Sequence, residues 1–137
     1  MWKFYALLSA FFAALTAILA KVGVKGINGN LATAIRTGVV LVLAWGIVLF
    51  AGQTKDIKDL SKMNCMFLIF SGLATGLSWI FYFKALETGE VSKVAPIDKL
   101  SVVFVLILSF LLLKEPMDFK TITGGFLILC GTLVLAL

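Results

Sequence analysis

The sequence contains no histidine. That absence removes imidazole acid–base chemistry, histidine metal ligands and every triad built on histidine. Cysteine is scarce: Cys65 and Cys130 are the two present. Both lie in apolar runs, without C-x-x-C or zinc-like spacing, and read as small packing hydrophobes. No metal site and no cofactor are implied. Charge is also thin, at 14% of residues. There is no Gly-rich phosphate loop and no basic patch interleaved with aromatics. The net charge of +5 therefore carries no nucleic-acid signal, because lysines near membrane ends commonly anchor helices and set topology. Without histidine, and without clustered Asp/Glu or Ser/Lys at matched depth, an enzyme is not expected.

What remains is apolar. Hydrophobic residues make up 61% of 137, and the mean hydropathy is +1.11. A soluble domain of this length lacks the interior volume to hide so much apolar surface. Lipid must be the solvent, and the expected fold class is an all-α integral membrane protein. Five transmembrane helices are expected, at about 2–22, 31–52, 63–86, 94–113 and 119–137, in one domain spanning 1–137. Spans of about 20 residues fit a bilayer. The apolar runs are continuous rather than alternating, which speaks against a β-barrel. Phe4 to Ala20 is longer than a usual signal core and reads as a retained helix.

An odd number of spans puts the termini on opposite sides. The side of the N-terminus holds six lysines: Lys3, Lys55, Lys58, Lys62, Lys114 and Lys120. The other side, called side B, holds Lys21, Lys25, Lys84 and Lys93, with Arg36 and Lys99 just inside the membrane from it. The positive-inside rule gives only a weak preference. Two readings stay open: one weakly specified orientation, or dual topology with copies inserted both ways.

The fourth span carries the most information. It opens with Pro96, which fits the first turn of a helix, followed by Asp98 and Lys99. Intramembrane charges are costly and usually serve function or a specific pairing. Arg36 is the other such charge. Arg36 and Asp98 each sit about five positions into their helices, roughly 7 Å below side B. They are candidates for an ion pair gating or binding a charged or zwitterionic solute; alternatively both are wetted by the interface. Lys99, a quarter-turn from Asp98, either anchors to headgroups or faces a cavity. Helical spacing sets Ser71, Thr75, Ser78 and Tyr82 on one face of helix 3, near Trp79. Asp98, Ser101 and Ser109 lie together on helix 4. Such stripes line a polar cavity or pack helices closely. Gly72 and Gly76 form a contact motif on another face. Glu87 and Glu90 read as solvated loop residues, and Asp118 as the N-cap of the last helix.

The stretch F-K-A-L-E-T-G-E-V-S-K-V-A-P-I-D-K-L-S-V-V-F, then L-L-L-K-E-P, then G-G-F-L-I-L-C-G-T-L-V, resembles the second part of an EamA domain. That domain is the repeat unit of the drug/metabolite transporter superfamily. The matching positions are Ala85-Leu86, Ala95-Pro96, Glu115, and Gly124, Gly125 and Gly131. The resemblance implies structural roles for Pro96, Glu115, Gly124 and Gly125, with Glu115 organising the turn after helix 4. It also implies half of a ten-helix inverted-repeat transporter fold, in which a substrate site lies between repeats. A single repeat should need a second copy. The expected partners are therefore membrane lipid, a small-molecule solute, and a homodimer partner (antiparallel) or a related half in a heterodimer; no nucleic acid is expected. Helix 1 has no acidic residue, which departs from the small multidrug resistance proteins of the same superfamily.

The expected function is secondary transport of small metabolites or amino-acid-like solutes across the cell (inner or plasma) membrane by alternating access. The expected substrate pathway is Arg36, Ser71, Thr75, Ser78, Trp79, Tyr82, Asp98, Lys99 and Ser101. The alternatives are a non-transporting membrane subunit that stabilises a partner, or a small multidrug-resistance-like cation exporter.

Overall fold

Long uncharged runs of Leu, Ile, Val, Ala and Phe must satisfy their own backbone in lipid, and helices do so. In a computed structural model describing residues 1–137, they form α1 (Trp2–Gly23), α2 (Gly29–Phe50), α3 (Lys62–Thr88), α4 (Val91–Asp98), α5 (Ser101–Leu108) and α6 (Phe119–Ala136), with no strand. Taking Val91–Leu113 as one interrupted span, five helices are long and apolar enough to cross a membrane. The all-α, five-span architecture is the one expected. The chain divides into two units: Ala20–Glu87, and Met1–Leu19 with Thr88–Leu137.

In the unit Ala20–Glu87, a loop with Gly26 at φ 76°, a left-handed turn that glycine tolerates without strain, leads into α2. Asn28 caps that helix, its side-chain oxygen accepting the Asn30 N–H at 2.8 Å. Gly29, Ala32 and Thr33 are buried; with Arg36 they follow the i, i+3, i+4, i+7 spacing of one helical face. The Thr33 and Thr37 hydroxyls donate to the carbonyls of Gly29 and Thr33, at 2.8 and 2.7 Å. These residues thus pack without an unsatisfied polar group. A charged 3-10 helix, Gln53–Asp59, follows, and the Ser61 hydroxyl caps α3 by accepting the Asn64 N–H at 3.1 Å. α3 runs to Thr88, so Glu87 belongs to its last turn and not to a loop. A polar stretch reads as a loop in sequence, but a helix continues past the apolar run where its end finds partners. Here Glu87 accepts the Gly29 N–H, and the Leu86 carbonyl accepts from Lys21 Nζ at 2.5 Å.

In the other unit, the fourth span begins at Val91, earlier than expected. The Val94 N–H already donates to the Glu90 carbonyl at 2.9 Å. Pro96 is therefore inside α4 rather than in its first turn. Its missing N–H leaves the Ser92 carbonyl without the usual donor. The helix then tightens: Lys99 and Leu100 donate to Pro96 and Ile97, each three residues back, at 3.0 Å. α5 restarts at Ser101. Prolines are among the identifiable causes of such kinks. α6 packs along both α4 and α5. Gly125 is buried where a Cβ would stand 2.7 Å from Leu106 Cδ1, whereas Gly124 has open space.

The span ends in a wide π turn, Ser109–Leu113. Lys114 adopts φ 54°, and the Glu115 N–H donates to the Ser109 carbonyl at 3.2 Å, a left-handed closure one residue wider than the usual end of an α-helix. Glu115 thus enters the turn through its backbone. The capping carboxylate is Asp118, which accepts the Thr121 N–H at 3.0 Å and the Thr121 hydroxyl.

Candidate functional site

Two loci carry charge within the spans, one in each unit. The first is built on α2 and α3. Arg36 is half-buried and lies about 10 Å along α2 from Gly29 at 1.5 Å per residue. Its guanidinium stands 4.2 Å from the centroid of the Trp79 ring and 5.6 Å from that of Phe83. A cation over an indole face is attracted by the ring quadrupole, and the attraction grows when water is excluded. Phe83 is 3% exposed, so this shelf is anchored in the best-buried part of α3. The Tyr82 ring meets Phe83 edge-on at 6.4 Å. Trp79, Tyr82, Phe83 and Leu86 follow the same helical spacing as the α2 face.

At the side-B end of this locus the backbone is clamped. A Cβ on Gly29 would stand 2.6 Å from a Glu87 carboxylate oxygen and 3.3 Å from the Phe83 carbonyl carbon. A side chain at this position would displace the Glu87 carboxylate and press on the Phe83 backbone, so glycine favours the close approach of α2 to α3. A carboxylate at a helix start also complements the helix dipole. Beside the clamp is an open polar cavity of about 640 Å³, lined in part by Lys21, Lys25, Asn28 and Glu87.

The second locus is the break between α4 and α5. Asp98 closes α4, and its carboxylate lies 3.8 Å from Lys99 Nζ. Both side chains are partly open, 40% exposed for Asp98 and 56% for Lys99. Ser101, the first residue of α5, is exposed.

The expected pathway residues therefore divide. Arg36, Trp79 and Tyr82 gather around Phe83, which sequence reasoning missed. Its only one-dimensional signal was its place one turn beyond Trp79. Asp98, Lys99 and Ser101 gather at the helix break. Arg36 and Asp98 belong to different units, and each has a partner within its own. Ser71, Thr75 and Ser78 are exposed, and the Thr75 hydroxyl is turned back onto the Ser71 carbonyl at 2.9 Å. Gly72 and Gly76 have open space where a Cβ would point.

The broken fourth span, the glycine-bearing last helix and the five-span count are features of one repeat unit. The model of the EamA-like transporter family matches residues 1–137. The chain belongs to the EamA-like transporter family. As an EamA-like protein it is similar to a Sinorhizobium protein described as an uncharacterized transporter in cobO 3'region. The two are 48% identical over 135 residues, 98% of this chain and 96% of the relative. No solved structure matches the chain. This EamA-like chain is a single repeat, and its role is that of a membrane transporter.

Proposed function

We propose that the protein is a secondary transporter of small metabolites or amino-acid-like solutes, acting as an antiparallel homodimer by alternating access in the cell membrane. The observation that carries this reading is the fourth span, interrupted at Lys99 and Leu100 just after Asp98. Irregular turns in membrane helices are tolerated where they line a cavity, and here the proline leaves the Ser92 carbonyl without its usual donor. A break flanked by an acid and a base suits a zwitterionic or charged solute. A single repeat offers half of such a cavity, and an inverted copy supplies the other half. The nearly even lysine tally on the two sides supports insertion both ways.

Two measurements test it. Reconstituted protein should exchange labelled solutes from an amino-acid and metabolite panel; a silent panel would count against transport. With Cys65 and Cys130 replaced by serine, a single cysteine placed in 53–59 should label from both sides of the membrane. Labelling from one side only, with full activity, would exclude the antiparallel dimer.

A further inference from the structure

Arg36 offers a more specific reading of the α2–α3 locus, resting on the transporter function just proposed. A stacked guanidinium uses its flat face. Its five N–H donors lie in the plane and point outward from the edge. Within residues 20–87 no acceptor takes a hydrogen bond from them. The carboxylates of the unit are engaged or distant in the chain: Glu87 holds the Gly29 N–H, and Asp56 and Asp59 lie on the 3-10 helix beyond the opposite end of α2. In the other unit, Asp98 is held at Lys99. The unit thus carries a charge inside a membrane span with its face satisfied, the Tyr82 hydroxyl as an electrostatic neighbour, and no carboxylate at its N–H edge.

The direction in which Arg36 reaches separates a ligand site from a headgroup anchor. α2 runs inward from side B, and α3 runs outward toward it. On α3, Trp79 lies one turn farther from side B than Phe83. An arginine reaching for lipid phosphates would move toward the helix end, past Phe83. The guanidinium instead sits closer to Trp79, the deeper ring. The helix-end level already carries Lys25 and Lys84 for headgroups.

We infer that Arg36, shelved on Trp79 and Phe83, is the receptor for a carboxylate of the transported solute. The planar N–H fork matches a carboxylate in two parallel hydrogen bonds, which a lysine ammonium cannot reproduce. The substrate class is then a small carboxylate-bearing solute, amino acids included, and amines or amides of the same skeleton are discriminated against.

Trp79 provides the readout. Protein carrying Trp2→Phe and Trp45→Phe keeps Trp79 as its sole tryptophan and is placed in phosphatidylcholine nanodiscs. Its emission is titrated with a panel of amino acids and mono- and dicarboxylates, each beside the corresponding amide. The expected result is a saturable change with at least one carboxylate, weakened roughly tenfold or more for the amide, the scale of one charged hydrogen bond. Arg36→Lys, which keeps the charge and guards against misfolding, should weaken it by a similar factor. Equal responses to acid and amide, or no response to any carboxylate, would overturn the inference. So would a response that appears only when phosphatidylglycerol replaces phosphatidylcholine, since that identifies a headgroup site. Counterflow in liposomes is measured in parallel. Flux with equal use of acids and amides retains the transporter reading and removes the carboxylate receptor. A carboxylate response without flux retains the receptor and removes the transporter reading.

Discussion

Arg36 and Asp98 are each the eighth residue of their helices, yet they are held in opposite ways. Arg36 sits in an uninterrupted helix and is steadied by rings on another element. Asp98 sits where a helix fails and is steadied by its neighbour in sequence. The first arrangement depends on packing across elements, with a glycine contact and a buried phenylalanine behind it. The second depends on a proline and on local backbone bonds. Fixed geometry belongs to the first locus and adaptable geometry to the second. A transporter needs both: a rigid feature to recognise a solute and a yielding one to move around it.

The largest expected effect is at the yielding locus. Asp98→Asn should lower flux roughly ten- to a hundredfold, the scale of one charged hydrogen bond, with insertion and helix content unchanged. Wild-type flux would remove Asp98 from the pathway. At the rigid locus, Gly29→Ala should destabilise the protein by about 1–3 kcal/mol, as overpacking does. The added methyl would collide with Glu87. Thermal unfolding in detergent measures this. A second substitution, Glu87→Ala, should recover part of the loss; strictly additive losses would show that the two residues do not press on each other. Trp79→Leu keeps apolar bulk but removes the ring face. It should cost about 0.5–2 kcal/mol, and the cost should vanish in an Arg36→Met background. An unchanged cost there would assign it to packing alone.

Both the five spans and the Asp118 cap were legible in the sequence, because each depends on local composition. The apolar runs set span number, and an Asp before a helical run is a cap by its own chemistry. The ends of α3 and α4 were not legible. Glu87 looked like a loop residue because its partner, the Gly29 N–H, is remote in sequence. Pro96 looked like a first-turn residue because the polar Ser92 and Lys93 ahead of it did not read as helix. Arg36 and Trp79 were each recognisable as unusual, but their stacking and the role of Phe83 depend on which faces of α2 and α3 meet. That is a tertiary fact, which helical periodicity alone leaves undetermined.

The smallest expected effect lies outside both loci and calibrates them. The Thr121 hydroxyl, with the Thr121 N–H, holds the Asp118 carboxyl below its ordinary value of 3.8. A carboxyl depressed in the folded state adds stability that is present above its unfolded value and lost as pH falls through the folded one. Acid titration below pH 3.8 should therefore loosen the start of α6, and Thr121→Val should narrow that pH window. An identical acid response in the variant would dissociate the cap from the titration.

Pro96 has a mechanical consequence. A helix that flexes in lipid ordinarily has to rupture a hydrogen bond and expose both halves of it to hydrocarbon. At Ser92 that bond does not exist, because proline has nothing to donate. Bending there forfeits nothing, and α6 spans both pieces as a splint. The fourth span is jointed timber rather than a beam, able to change its angle without passing through a broken-backbone state.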